Sequence, residues 1–361
     1  MNRRSFLLRS GMGGLGSCLT SSFLLGPTLF EEKVKPVDEL VDAATTEAIQ
    51  KGLAYIASRQ VREGRFQGAF GTKGYAGGVA VTSLCGLAFL CSGSTPYSGQ
   101  YDRQIQRCID FVLKSVRGSG YISENGGTQR FSNMYGHGYA MLFLSQVAGM
   151  SKKAGIREKL ESAIALTSKV QNQQGGWRYR PVKADADLSI TVCQIMALRA
   201  AHNAGFEVSN DVRKKTIEYV DRCRNKDGSF RYMAGKGRTT LALTSAAVVS
   251  YYSAGLYDDP RVNDGLKWIF DHRPGRASGQ VVSPMNYYYA HYYAIQAMWH
   301  AQLYKPEYWN QWYPLIRDEL LYRKRSNDGT WPDAKIGPEF ATAMSCIILQ
   351  IPFNFLPVFA P

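Results

Sequence analysis

Two aspartates stand directly before an apolar run in the middle of the chain. Asp185 and Asp187 precede residues 188–198, whose nearly uninterrupted apolar character predicts a buried helix. A carboxyl group at this point has two roles open to it. It caps the helix by accepting hydrogen bonds from first-turn N–H groups, or it serves as an acid at the mouth of a cavity. We therefore take Asp187 and Asp185 as candidate catalytic residues.

Tyrosine and histidine concentrate on two other apolar segments. Tyr288, His291 and Tyr292 share a face at helical spacing, and Tyr135 and His137 begin another segment in a similar way. Aromatic faces around a cavity hold apolar chains and stabilise cations, whereas large aromatics that only pack a core are the common alternative. We expect the three tyrosines and His137 at a ligand site and His291 as a third candidate catalytic residue. A lone histidine such as His137 is also typical of a hydrogen-bonded core.

The chain is basic, with 43 Lys and Arg against 29 Asp and Glu and a formal net charge of +14. Lys183 and Arg238 belong to loops that lead into apolar segments, where we expect them to attract the anionic end of a ligand. The alternative is that they are solvated loop residues. Because the cations are spread around several loops, we expect no nucleic-acid partner.

Several kinds of chemistry find no motif in the sequence. There is no P-loop, dinucleotide fingerprint, paired-cysteine zinc pattern or G-x-S-x-G elbow, so we expect neither a metal nor a cofactor. Besides Cys18, six cysteines are scattered over apolar segments. Their even number permits disulfides, but their positions favour buried thiols.

A turn motif repeats along the chain. Gln171, Gly175 and Trp177 form the frame Q-x-x-x-G-x-W, in which glycine ends a helix and the aromatic ring covers the helix end. The frame returns at Gln60–Gly64–Phe66, Arg224–Gly228–Phe230 and Arg325–Gly329–Trp331. The starts lie 111, 53 and 101 residues apart. This spacing indicates a unit of roughly fifty residues, with degenerate copies at 118–121 and 275–280.

Two kinds of helix are predicted to alternate between these turns. One kind is amphipathic, with apolar residues three and four apart, as in Ile105, Cys108, Ile109 and Val112. The other kind is apolar nearly all round. Its members are 77–90, 135–147, 188–198, 241–252, 287–299 and 340–351. Six pairs predict an all-α fold, an α/α toroid of six inner and six outer helices. All inner helices then start at one end, where their dipoles favour anions.

The frame and its helix pairs resemble the prenyltransferase and squalene oxidase repeats of the terpenoid cyclase and protein prenyltransferase superfamily. The resemblance spans roughly residues 40–351 and implies a toroid with an isoprenoid-like ligand in its central cavity. Asp185-Ala-Asp187-Leu188 is similar to the D-x-D-D acid motif of squalene-hopene cyclases, but a leucine takes the last position. Asp187-x-Ser189 stands where protein prenyltransferases carry a zinc-binding D-x-C pair, with serine in place of the thiolate. The resemblance therefore leaves catalysis undecided.

The N-terminus is similar to a twin-arginine export signal. Arg3 and Arg4 precede an uncharged run at 10–30, so residues 1–30 are expected to direct export to the periplasm or another extracytoplasmic site. An uncleaved anchor that attaches the protein to the membrane is the alternative. Residues 31–38 are a predicted linker, and 39–361 a single toroid domain of six repeats.

Three functions stay open at this point. The first is an exported toroid that binds an apolar, isoprenoid-like lipid in its central cavity. The second is a non-catalytic scaffold whose ring is filled by its own side chains. The third is a carbohydrate-active lyase or hydrolase that uses Asp185, Asp187, Glu124 and Glu339 as acids. A void at the centre of the ring would separate the first from the second.

Overall fold

Twelve of the described α-helices form six outer and inner pairs. The computed structural model describes residues 32–71, 78–124, 133–275 and 286–359. A short helix α1 (Val37–Leu40) comes first. The outer helices are α2 (Ala43–Arg59), α4 (Asp102–Lys114), α6 (Ile156–Val170), α8 (Asn210–Arg222), α10 (Pro260–Asp271) and α12 (Pro306–Glu319). The inner helices are α3 (Gly78–Cys91), α5 (Asn133–Ala148), α7 (Leu188–Asn203), α9 (Leu241–Ser253), α11 (Tyr287–Ala301) and α13 (Pro338–Gln350).

The inner helices close into a ring. Each packs against the next, and α13 packs against both α3 and the first outer helix, α2. Every residue of α3 is buried, whereas α4 buries only the stripe that includes Ile105, Cys108, Ile109 and Val112. An apolar surface all round a helix requires cover on all sides, which the inner position provides. The predicted α/α toroid is confirmed.

The turn glycines adopt the left-handed conformation that the repeat predicts. Gly64, Gly175, Gly228 and Gly329 have φ between 79° and 88°, and so do Gly120 and Gly275 of the two degenerate copies. At Gly175 the neighbouring outer helix also comes very close. A β-carbon there would overlap the carbonyl oxygen of Lys215 in α8. Glycine is therefore required by conformation and by space.

The other two residues of the motif satisfy backbone carbonyls. The Gln171 amide donates to the carbonyls of Gly175 at 2.9 Å and Val212 at 3.0 Å, which ties the turn to the next outer helix. The Trp177 indole Nε1 donates to the Thr167 carbonyl at 2.8 Å, one of the last four carbonyls of α6. These carbonyls have no partner within the helix, so the motif caps it.

One threonine in the first turns of most inner helices holds the turn that precedes it. The hydroxyl of Thr191 accepts a hydrogen bond from the N–H of Trp177 at 3.2 Å. The same bond joins Thr82 to Phe70, Thr244 to Phe230 and Thr342 to Trp331. The buried N–H of each turn aromatic is thereby satisfied by the helix it leads into.

The first repeat departs from the predicted register. Phe70, not Phe66, donates its N–H to Thr82, and Gly68, with φ of 89°, approaches the carbonyl of Arg107. The Gln60 amide donates to the carbonyl of Gly68 at 3.0 Å. The assignment of Phe66 as the turn aromatic is therefore wrong, because four extra residues separate the glutamine from the functional glycine.

A β-hairpin and a C-terminal segment pack with the helices of the described fold. A hairpin of β1 (Arg231–Met233) and β2 (Lys236–Thr239), which pair antiparallel, leads into α9 and was not expected. The C-terminal segment 351–359 lies against inner helices: the Val358 N–H donates to Gln146 at 3.3 Å, and Phe359 packs on Tyr292. The six described cysteines are buried and form no disulfide. Among the described residues, no helix has the length and apolar character needed to cross a membrane.

Candidate functional site

The N-terminal ends of all six inner helices surround one cavity of about 360 Å³. The described residues that line it fall into three groups. The aromatic ones are Tyr135, Tyr139, Tyr179, Tyr232, Tyr288, Tyr289 and Phe340. The aliphatic ones are Ala80, Leu84, Ala242, Leu243 and Ile336, and the polar ones are Ser189, Arg238, Thr240, Asn286, Asp333 and Lys335. The shared mouth expected of the ring is present, and tyrosine is the commonest residue type in its described lining.

Three of these tyrosines turn their hydroxyl hydrogens into the wall. Tyr135 donates to the hydroxyl of Ser189 at 2.6 Å, and Tyr289 donates to the backbone carbonyl of the same serine at 3.0 Å. Tyr288 donates to the carbonyl of Pro332 at 3.0 Å. Burial raises the pKa of Tyr135 well above its usual value, and the nearby Asp187 adds to the rise. These phenols therefore stay protonated and donate their hydrogens to acceptors of the protein.

Tyr179 and Tyr232 join two loops across the wall. Their hydroxyl oxygens lie 2.5 Å apart, which links the turn before α7 to the hairpin before α9. The Tyr135 and Tyr179 rings lie beside each other, with centroids 6.5 Å apart. The hairpin therefore contributes directly to the cavity wall.

Asp187 caps α7 and lies behind the lining. Its Oδ1 accepts hydrogen bonds from the Ile190 N–H at 3.0 Å and from the Ser189 hydroxyl at 2.6 Å. The side chain is fully buried, and Oδ2 lies 3.8 Å from Nε of Arg178. Burial raises the pKa of Asp187, and the two hydrogen bonds and the Arg178 charge oppose that rise. Asp187 is not among the lining residues, and it contacts the cavity wall through the hydroxyl of Ser189, which it holds.

Asp185 is placed differently from Asp187. It pairs with Nη1 of Arg178 at the surface, its side chain is 54% exposed, and it is not among the lining residues. Leu188 is buried in α7 at the position where the cyclase motif carries its last carboxyl. The two aspartates therefore do not meet at the cavity as a pair of acids.

His137 occupies the repeat position of the turn-binding threonines. Its Nδ1 accepts the N–H of Ile122 at 3.1 Å, as the threonine hydroxyls do elsewhere, and its Nε2 bonds the Thr167 hydroxyl at 2.8 Å. Because Nδ1 accepts, the neutral ring carries its hydrogen on Nε2. Burial lowers the pKa of His137 to about 3. It is not among the lining residues, which favours the core alternative for this histidine.

His291 and Tyr292 lie off the cavity. His291 takes the same position in α11 as His137 in α5, four residues after Tyr287, and packs on Tyr287 and on Trp312 of the outer helix α12. Burial lowers its pKa to about 3. Tyr292 packs on Tyr139 deeper in the ring. The helical face assigned to Tyr288 and Tyr292 therefore excludes His291, which points outward.

Of the two predicted cations, one reaches the cavity. Arg238, on β2, is among the lining residues, whereas Lys183 is exposed on the loop before α7 and is not. Asp333 is the carboxylate among the described lining residues, and its Oδ1 accepts the N–H groups of Lys335 at 2.9 Å and Ile336 at 2.6 Å. The described rim thus carries the charges of Arg238, Lys335 and Asp333.

Part of the chain matches a known protein family. Residues 104–273, which include α5, α7 and α9 of the ring, match the family described as "Prenyltransferase alpha-alpha toroid domain". The match covers the middle of the chain and is to an α/α toroid, the architecture that the inner and outer helices form. The predicted resemblance is confirmed, and no curated protein matches the sequence of this toroid chain.

Solved structures share the toroid fold with enzymes of different activity. A cellobiose 2-epimerase from Bacillus thermoamylovorans has a TM-score of 0.63 at 12% identity, over 86% of this chain and 99% of that chain. A type II terpene cyclase from Scytonema, in complex with geranylgeranyl dihydroxybenzoate, has a TM-score of 0.57 at 13% identity, over 87% and 98%. An α-mannanase from Bacteroides thetaiotaomicron has a TM-score of 0.60 at 11% identity, over 86% and 96%. Such low identity shows the fold alone.

Three lining residues of the toroid domain follow a rule that the sequence contains. Tyr179, Tyr232 and Asp333 each stand two residues after a turn aromatic, namely Trp177, Phe230 and Trp331. The turn aromatic is buried, so the chain places the second residue after it at the cavity. That spacing was available in the repeat frame and would have identified them.

The other two candidate acids, Glu124 and Glu339, lie away from the cavity, and the described toroid shows no cluster of metal ligands. Glu124 accepts the Val79 N–H at 2.6 Å at the start of α3, and Glu339 pairs with Arg59 at 3.2 Å. Neither lines the cavity. Within residues 32–71, 78–124, 133–275 and 286–359, no three His, Cys, Asp or Glu side chains gather as a metal site would require.

Proposed function

We propose that the central cavity binds an apolar small molecule of the isoprenoid class. The observation that carries this proposal is the direction of the tyrosine hydroxyls. Tyr135, Tyr288 and Tyr289 give their hydrogens to acceptors in the wall, so they offer a ligand mainly ring surface. Together with the aliphatic lining, that surface suits hydrocarbon. The volume of about 360 Å³ is sufficient for a small ligand.

The neighbouring structures are compatible with this proposal without deciding it. The Scytonema terpene cyclase was solved with a geranylgeranyl compound, whereas the epimerase and the mannanase act on sugars. What separates the two classes for this chain is the lining. A glycoside hydrolase needs two carboxyl groups about 5 to 9.5 Å apart at the substrate. None of Asp185, Asp187, Glu124 and Glu339 lines the cavity, which counts against the carbohydrate hypothesis.

The proposal concerns binding rather than cyclisation. Protonation of an alkene needs a carboxyl that stays protonated because neighbouring carboxyls raise its pKa, and the last carboxyl of such a cluster is replaced by Leu188. The scaffold hypothesis expects a ring filled by its own side chains, and a cavity of about 360 Å³ counts against it.

Binding of radiolabelled farnesol to the purified protein, measured by equilibrium dialysis, tests the proposal. Tyr288→Ala removes an aromatic ring from the wall and is expected to weaken binding by at least about tenfold, since burying such a ring is worth about 1.5 to 3 kcal/mol. Tyr322→Ala is the matched control, because that tyrosine is 70% exposed. Solvent extraction of the freshly purified protein should also release an isoprenoid. Absence of farnesol binding, or equal binding by Tyr288→Ala, would overturn the proposal.

A further inference from the structure

A chain of three polar groups connects the buried end of α7 to the cavity. The Tyr135 hydroxyl lies 2.6 Å from the Ser189 hydroxyl, which lies 2.6 Å from Oδ1 of Asp187. Asp187 is fully buried, Ser189 is 7% exposed, and both Ser189 and Tyr135 line the cavity. The chain therefore begins at a fixed carboxylate and ends at the ligand site.

Counting hydrogens gives the direction of every bond in this chain. The Ser189 hydroxyl donates its single hydrogen to Oδ1 of Asp187. Ser189 is then left only with lone pairs and must accept from Tyr135, whose single hydrogen is thereby used. The oxygen of Tyr135 consequently offers lone pairs, and no hydrogen, to anything bound in the cavity.

The hydroxyl oxygens of the two neighbouring tyrosines also offer only lone pairs to a ligand, but for a different reason. Tyr289 and Tyr288 donate to the backbone carbonyls of Ser189 and Pro332, which cannot donate in return. These three phenols together form an accepting wall. A ligand that carries an O–H group finds a partner there, whereas an ether or a hydrocarbon leaves Tyr135 without one.

We propose that the cavity selects an isoprenoid alcohol, whose hydroxyl donates to the oxygen of Tyr135. Ser189, anchored by Asp187, is a positioning residue that keeps Tyr135 an acceptor. This inference rests on the proposed function and adds the chemical class of the ligand's polar end. Arg238 at the rim is a donor and would bind ether and alcohol oxygens alike, so it does not generate the preference.

The ratio of two affinities measures this preference. Farnesol and farnesyl methyl ether share the same hydrocarbon, but only the alcohol donates a hydrogen bond. The native protein is expected to bind farnesol about tenfold more tightly, which corresponds to one hydrogen bond of about 1.4 kcal/mol. Tyr135→Phe removes the acceptor and gives the steric baseline for the extra methyl group, so its ratio should fall by about that factor.

Variants of Ser189 test the positioning role. In Ser189→Ala the Tyr135 hydrogen loses its acceptor and becomes available to the ligand, so the ratio should fall to the Tyr135→Phe baseline. Ser189→Thr keeps a hydroxyl at the same point and is expected to retain the preference. Ser145→Ala is the control for loss of an inner-helix serine, because that hydroxyl donates to the Met141 carbonyl and does not line the cavity.

The outcomes separate the inference from the function on which it rests. If the native protein binds both compounds with the ratio seen in Tyr135→Phe, hydroxyl selection is refuted while isoprenoid binding stands. If Ser189→Ala keeps the native ratio, the positioning role of Ser189 is refuted. If the native protein binds neither farnesol nor farnesyl methyl ether, the proposed function itself is overturned.

Discussion

Gly175 lies against the backbone carbonyl of Lys215 so closely that a β-carbon on the glycine would overlap the carbonyl oxygen. We expect Gly175→Ala to reduce the free energy of unfolding far more than the matched variant Gly205→Ala. Gly205 has the same left-handed conformation, with φ of 84°, but no atom lies within 4 Å of its added carbon. Left-handed strain costs about 1 to 2 kcal/mol at both positions. The further loss at Gly175 then measures the close approach of the two helices.

Urea denaturation followed by circular dichroism provides both values. Because the obstacle is backbone rather than a flexible side chain, Gly175→Ala should shift α8 or fail to fold. Equal losses in the two variants would mean that the turn and α8 are not pressed together as described.

Trp177 allows the cap to be separated from the packing. We expect Trp177→Phe to cost about 1 to 3 kcal/mol more than the matched Trp309→Phe, because it leaves the Thr167 carbonyl without its donor. Both rings are buried, but Nε1 of Trp309 has no hydrogen-bond partner within the described residues. The two free energies of unfolding provide the comparison, and similar values would contradict a capping role for the indole.

The expected export signal lies outside the described part of the chain. We propose that residues 1–30 direct the folded protein across the membrane, on the pattern of Arg3 and Arg4 before an uncharged run. Replacing both arginines by lysine should leave the protein in the cytoplasm, as measured by cell fractionation, whereas Arg9→Lys should not. Cytoplasmic accumulation of the native protein would reject the signal.

The ring was predictable because the same sequence pattern recurs in several repeats, each of which indicates the same helix pair. Six glycines with positive φ and six apolar helices repeat one unit, so an error at Phe66, where the true turn aromatic is Phe70, leaves the architecture unchanged. The turn-binding threonines were not foreseen. A single threonine such as Thr191 within an apolar helix has no periodic signature until its backbone partner is known.

The candidate site was only partly predictable, because side-chain direction depends on helix phase. Tyr135, Tyr288 and Arg238 line the cavity as expected. Each residue rotates about 100° around the helix axis, so His291, three residues after Tyr288, lies about 60° away from it. That rotation turns His291 towards the outer helix. Neither the tilt of a helix nor the centre of the ring is visible in the sequence, so the edges of a face stay ambiguous.

Buried histidines should make the protein sensitive to acid. Burial lowers the pKa of His137 and His291 to about 3 and that of His300 to about 4, from an ordinary value of about 6.5. As the pH falls below 6.5, these histidines become protonated in the unfolded chain but stay neutral in the folded chain. The contribution of these neutral histidines to the stability of the fold is therefore complete above pH 6.5 and is lost progressively toward pH 3.

His137→Thr tests this origin of acid sensitivity, because threonine is the residue that four other inner helices use at this position. The variant loses ring volume and the bond to Thr167, so we expect lower stability at pH 7. Between pH 6 and pH 4 its stability should nevertheless fall less steeply than that of the native protein, by about 1.4 kcal/mol per pH unit. His202→Thr, at an exposed position in the last turn of α7, is the control and should keep the native slope. Urea denaturation at pH 7.0, 5.5 and 4.5 gives the slopes, and a native slope in His137→Thr would show that this histidine is not held neutral by burial.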